Sequence, residues 1–206
     1  MTNRLLRSAA LALAAVTSAA VLAGCGGGDD DALQPAAATT FNTADVAFAQ
    51  QMIPHHSQAV KMASLAATRA KDPAVRKLAA QIMAGQGPEI ETMQQHLEAW
   101  GQPMVAAMEG MDHSAAAPQE MMEMSTDMPG MASEDDLEAL AAAKGAQFDQ
   151  MFLTMMIEHH RGALQMAKAE RADGKDPAAL TLAEQMETAQ QSEINKMQKL
   201  KNVRTS

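Results

Sequence analysis

Two histidine pairs, His55-His56 and His159-His160, stand in matching local contexts. Met52 precedes the first pair and Met62 follows it, and Met156 and Met166 keep the same spacing around the second. Imidazole nitrogen suits copper, zinc, nickel and iron, whereas thioether sulfur selects soft ions, Cu(I) above all, with Ag(I) expected to behave alike. The single cysteine, Cys25, is remote in sequence from both pairs, so thiolate is not on hand for a structural zinc site. A lone His-His pair on a helix is more often a core group bonded to a carboxylate, and Met is a common gap-filler. Two identical clusters, each flanked by helically spaced Met, favour ligation instead.

The likeness runs well beyond the pairs. Met52-Ile53-Pro54-His55-His56-x-x-Ala59-x-x-Met62-Ala63 recurs as Met156-Ile157-Glu158-His159-His160-x-x-Ala163-x-x-Met166-Ala167, an offset of 104 residues. The same offset carries Asp45 to Asp149, Phe48 to Phe152, Asp72-Pro73-Ala74 to Asp176-Pro177-Ala178, and Glu89-Ile90-x-x-Met93 to Glu193-Ile194-x-x-Met197. One unit is therefore about fifty residues long.

Each unit reads as a helical hairpin. Asn42 or Thr43 caps a first helix running to about Ala70, and Asp72 with Pro73 opens a second that ends near Trp100-Gly101. Ser133 with Asp136 opens a third, interrupted near Gly145, and Gly174 stops it before Asp176-Pro177 starts the fourth. Composition agrees with an all-α fold: the 206 residues include 19 Met but only four Phe, one Trp and no Tyr, too few aromatics for a sheet-based core. Four amphipathic helices bury their stripes by packing two antiparallel hairpins, 42–101 and 133–202, into one four-helix bundle. On the first helix His55 and His56 straddle the apolar stripe of Phe48, Met52, Ala59, Ala63 and Ala66. On the second, Glu89 and His96 share the face of Leu78, Ile82, Met93 and Trp100; hairpin geometry sets Glu89 level with His55, and Glu193 near His159. A carboxylate buried there needs a partner, a proton or a cation.

Residues 102–132 form a crossover of different character. Eight Met lie between positions 104 and 131, Met108 and Met111 among them, together with His113, while Gly110, Pro118, Pro129 and Gly130 break any continuous helix. The segment reads as a loose thioether trap. The N-terminus is set apart again: Arg4 and Arg7 precede an uncharged stretch ending in Leu22-Ala23-Gly24-Cys25. That pattern predicts a secretory signal over residues 1–24, with Leu-Ala-Gly-Cys resembling a bacterial lipobox whose Cys25 is lipidated. Several acyl chains anchor firmly, and residues 25–41 supply a flexible tether to an extracytoplasmic, periplasmic or cell-surface, membrane-anchored protein. The formal charge of −9 argues against nucleic acid and for cationic partners.

Phe48-x-x-x-Met52-Ile53-Pro54-His55-His56 and Phe152-x-x-x-Met156-Ile157-Glu158-His159-His160, with Gln86-x-x-Glu89-Ile90-x-x-Met93, resemble the bacterial domain of unknown function 305 family over residues 42–202. The resemblance implies a ferritin-like bundle, usually exported, and some members bind copper in the periplasm through Met and His. Glu158 stands where the first unit has Pro54, which would make the two sites unequal.

Together these readings predict a non-enzymatic lipoprotein that holds copper, as Cu(I) with Cu(II) and Ag(I) as further candidates, for tolerance, sequestration or delivery, with a copper-handling protein as a further partner. The expected ligands are His55, His56, His159, His160, Met52, Met62, Met156 and Met166, with Glu89, Glu193 and His96 as auxiliary groups and Met108, Met111 and His113 from the insert. The alternatives are a ferritin-like di-metal iron oxidase and a metal-independent surface module. The first needs Glu-x-x-His on two helices, but Met occupies positions 52 and 156. Neither a Ser-His-Asp order nor a phosphate-cradling Gly loop is present, which sets hydrolase and nucleotide chemistry aside.

Overall fold

The computed structural model describes residues 40–104 and 128–205. Five helices account for nearly all of them: α1 Thr43–Arg69, α2 Pro73–Ala99, α3 Glu134–Ala142, α4 Gly145–Asp173 and α5 Pro177–Thr205. Their starts follow from side-chain caps. Asn42 accepts from the Ala44 and Asp45 amides while Asp45 accepts from the Asn42 amide, so both ends of the capping box are closed. Asp72 accepts from Ala74 N–H ahead of Pro73, and Asp176 does the same for Ala178 ahead of Pro177. The interruption expected near Gly145 is a full break. Ala143 and Lys144 are extended, and Gly145 takes a positive φ of 65° that suits a residue without Cβ, so α3 and α4 are separate helices.

α1 packs along α2, α4 along α5, and α1 along α4, with a smaller contact between α2 and α5. The register between the hairpins is antiparallel along the whole of α1 and α4. At one end Ala70 pairs through its backbone with Gly145; at the other the Asn42 side-chain amide donates from Nδ2 to the Asp173 carbonyl at 2.8 Å. The repeated aspartates bind the hairpins to each other. Asp45 accepts from the backbone N–H groups of Lys175 and Asp176, in the turn of the second hairpin, and Asp149 accepts from those of Lys71 and Asp72, in the turn of the first. Each unit thus grips the other's turn. Burial alone would raise the pKa of Asp45, but donors from Asn42, Asp176 and Lys175, with the Glu170 carboxyl, outweigh it and hold it below the usual carboxylate range.

The core divides into two apolar clusters. One joins Phe48, Met52, Met93, Leu97, Met166, Leu182 and Met186; the other joins Met62, Leu78, Ile82, Phe148, Phe152, Met156 and Met197. The 104-residue offset carries members of one onto the other. Between the residues of the two clusters, on all four long helices, the sequence places His55-His56, Gln86, His159-His160 and Gln190, all buried. A polar layer therefore crosses the middle of the bundle.

Candidate metal centre

Helical phase turns the two histidines of each pair in different directions. His56 faces its own hairpin, where its Nε2 lies 2.7 Å from Glu89 Oε2; His160 repeats this with Glu193 Oε2, also at 2.7 Å. The sequence reading set the carboxylates level with His55 and His159, whereas the structure gives them to the second histidine of each pair, the one turned toward the neighbouring helix of its own unit. His55 and His159 face each other across α1 and α4, with ring centroids 3.8 Å apart and planes tilted by 38°. His55 Nε2 lies 3.1 Å from the Pro129 carbonyl, while neither nitrogen of His159 has a hydrogen-bond partner of good geometry, although the His55 backbone carbonyl faces it.

All four imidazoles are fully buried. Burial first, then the neighbouring imidazole of His56, pushes His55 down to about 3, against a smaller opposing effect of the Pro129 carbonyl. Burial and the charges that His55, His160 and His56 would carry likewise hold His159 well below its ordinary value. Both rings are therefore neutral at physiological pH, the state in which imidazole ligates a metal. Nδ1 of His55, His56 and His160 is buried without a partner, as are both amide atoms of Gln86 and of Gln190. Buried polar atoms are ordinarily paired; among the described residues most of the unpartnered ones lie in this layer, with Arg69 Nε and the Glu170 and Glu187 carboxyl oxygens elsewhere.

Residues 128–132, the end of the crossover, lie on this layer. Pro129 and Gly130 cross α4 at Gly162, where any Cβ would run into the Pro129 carbonyl, and Gly130, at φ 78°, lies against the Glu158 backbone. From the other unit Gln58 holds Ala132 by two bonds, donating to its carbonyl at 3.0 Å and accepting from its amide at 2.9 Å. Positions 58 and 162 are equivalent under the offset. One unit offers an amide to the strap and the other a bare backbone.

The methionines are arranged differently from the sequence expectation of one pair per histidine cluster. Met52 and Met62 enter different apolar clusters, so Met52 joins Met166, and Met62 joins Met156, across the two units. All four are buried. His96 lies about two turns beyond Glu89 on α2, its ring against Trp100 at 5.3 Å, and Trp100 stacks on Phe41 at 5.1 Å. It belongs to the bundle end and not to the imidazole layer. Met108, Met111, His113 and Cys25 lie outside the described residues. Sequence reasoning missed Gln86, Gln190, Gln58, Gly162 and Pro129 as site residues. Only the Gln-x-x-Glu repeat on a buried face signalled the first two.

Among the described residues, no three His, Cys, Asp or Glu side chains stand as a ready metal site. An ion taken here would draw on imidazoles in pairs and on thioethers, a soft and low-coordinate set.

The family model for the domain of unknown function DUF305 matches residues 45–201. The chain belongs to the DUF305 family. Its fold is similar to that of a DUF305 protein from Streptomyces coelicolor, a candidate secreted protein, at 34% identity and a TM-score of 0.68, covering 79% of this chain and 94% of that one. A DUF305 fragment from Deinococcus radiodurans matches at 30% identity and a TM-score of 0.65, over 78% and 97% of the two chains. CopM in its Cu(I)-bound form matches at 28% identity and a TM-score of 0.61, over 79% and 98%, and CopM is also known in Cu(II)-bound, Ag-bound and apo forms. No protein of curated function matches the chain. This DUF305 chain therefore has the all-helical fold of its relatives, and among its described residues no helix is long and apolar enough to cross a membrane.

Proposed function

We propose that this protein captures copper, as Cu(I) first and with Cu(II) and Ag(I) as further cargo, outside the cytoplasm and without catalysing a reaction. The observation that carries the reading is the buried layer of four imidazoles with unpartnered nitrogens, flanked on both sides by buried methionines. Support comes from CopM, which shares the fold and is known with Cu(I), Cu(II) and Ag bound. The ligands are His55, His56, His159 and His160, with Met52, Met62, Met156 and Met166 as thioether donors. The Met-rich crossover collects the ion, and lipidated Cys25 holds the protein at the membrane, for tolerance, sequestration or delivery to a copper-handling partner. The di-iron alternative is less well supported, because Glu89 and Glu193, the inward carboxylates it needs, are each bonded to a histidine.

Metal analysis of the purified chain under reducing conditions should find at least one copper per molecule. Changing His55, His56, His159 and His160 together to Ala should remove the tightest site while the helical content stays unchanged. Full affinity in that variant would overturn the assignment. In the same preparations Cys25→Ser should move the protein from the membrane fraction to the soluble one; if it stays, the anchor is wrong.

A further inference from the structure

The strap 128–132 spans from α4 to α1 at the height of the facing imidazoles. Its Gly130 rests on the α4 backbone at Glu158 and Gly162, on either side of His159, and its Ala132 is held by Gln58 of α1, three residues after His55. From the same turn the Pro129 carbonyl meets His55 Nε2 at 3.1 Å. The second histidine of each pair is covered differently, by a partly exposed side chain, Glu89 over His56 and Glu193 over His160. His55 lies under backbone. That backbone is lightly held: Pro129 and Gly130 are exposed, Met128, Met131 and Ala132 only part-buried, and none of the five belongs to a helix or strand. Its described hydrogen bonds to the helices are the two with Gln58 and the one from His55. α1 and α4, in contrast, are continuous helices of 27 and 29 residues, pinned to the opposite hairpin through Asp45 and Asp149. A segment with few buried contacts and exposed backbone opens locally at far smaller cost than packed helices separate.

We infer that the strap 128–132 is a latch over the imidazole layer: it lifts from Gln58 and Gly162 while the bundle stays folded, and a solute reaches His55 between α1 and α4 only in the lifted state. The inference rests on the copper reading for the identity of the solute, and goes beyond it by making access to the site a property of the end of the crossover. The two units supply different halves of the catch. Gly162, without a Cβ, lets the strap backbone seat directly on α4, and Gln58 closes it with a bond to each side of the Ala132 peptide. Once the strap is up, the ring of His55 leads on to that of His159, 3.8 Å away.

Diethyl pyrocarbonate, which acylates neutral imidazole, is a probe that needs no metal. On the full chain, mass mapping should find His96 at the bundle end modified readily and His55 slowly. Amide hydrogen exchange should show the Ala132 N–H opening far more often than the helical amides around His55, at a rate that low urea does not change, because little surface is exposed. Gln58→Ala should raise Ala132 exchange and His55 modification in parallel, each about 10-fold, with His96 unchanged. Gly162→Ala should act in the same direction, read while circular dichroism shows the bundle folded. A His55 rate that stays fixed while Ala132 exchange rises would overturn the latch, as would a His55 rate that climbs with urea in step with global unfolding. Ag(I) is the second probe, and its association rate should rise in the same ratio as the His55 labelling; an unchanged rate removes the latch from the ion's route. If silver does not bind at all, the copper reading fails, and the labelling result still decides the latch.

Discussion

The two units of this bundle agree closely where they hold each other and differ where the crossover meets them. Both His–Glu contacts measure 2.7 Å, and each unit's aspartate takes the backbone amides of the other's turn. The departures lie elsewhere. Gln58 in the first unit corresponds to Gly162 in the second, His55 has the Pro129 carbonyl where His159 has no side-chain bond, Ala66 corresponds to the buried Glu170, and Ile82 to Met186. The shared elements thus build a scaffold and a donor layer. The unshared ones turn a near-symmetric layer into one with a distinct side, the side on which the methionine-rich segment ends.

The largest expected break comes at Gly162. Gly162→Ala puts a Cβ into the Pro129 carbonyl, so the strap must lift and His55 loses its partner; stability should fall by about 1–3 kcal/mol. Gln58→Ala, at the equivalent position, removes two hydrogen bonds and should cost about 1–2 kcal/mol. Urea denaturation of both variants measures the difference, and a Gly162→Ala protein as stable as the parent would show that the strap does not depend on this approach.

Glu170 sharpens the contrast at the two turns. Burial first, then Asp45 and Asp176, raises its pKa to about 8, from an ordinary 4.5, whereas the opposite turn has Ala66 in its place. A carboxyl whose folded pKa is raised keeps its full contribution below 4.5, loses it progressively as pH rises to about 8, and changes no further above that. His55 and His159, with lowered values, act in the opposite sense and only as pH falls below 6.5. Between pH 7 and 8 the apo protein should therefore lose stability through Glu170, and Glu170→Gln should flatten that slope. Melting temperatures across this window decide it; equal slopes would remove the contrast.

The smallest effect belongs to the apolar clusters. Ile82→Met and Met186→Ile each make the two clusters more alike, and because both swaps nearly conserve volume, each should shift stability by less than about 1.5 kcal/mol in urea titration. A larger loss in only one of them would mean that the clusters are not interchangeable.

Much of this was legible in the chain itself. The 104-residue offset exposed two hairpins because it carries capping signals such as Asp72-Pro73 together with core positions such as Phe48, and four helices of good helix formers need no tertiary information to be placed. The Asp45 and Asp149 repeat was visible too, but not its purpose, because its partners are backbone amides, which every residue but proline has. Helical phase located the histidines on the inward half; it could not tell which of each pair meets a carboxylate, since the two choices differ by one residue in hairpin register. The split of Met52 from Met62 depends on how α1 crosses α4. Least legible was the strap, which rests on a carbonyl over a glycine and leaves no trace in side-chain pattern.

The crossed grip of Asp45 and Asp149 has the form of an isologous interface, in which residue i of one partner meets residue j of the other, and j meets i. That is the symmetry of a homodimer, here written once along a single chain. A lone unit would leave its turn amides ungripped and half of the imidazole layer without its counterpart, so pairing is what makes the hairpin complete. Covalent linkage adds what two identical subunits cannot have: the freedom for Gln58 and Gly162, at one equivalent position, to become different residues and receive a single strap in only one orientation.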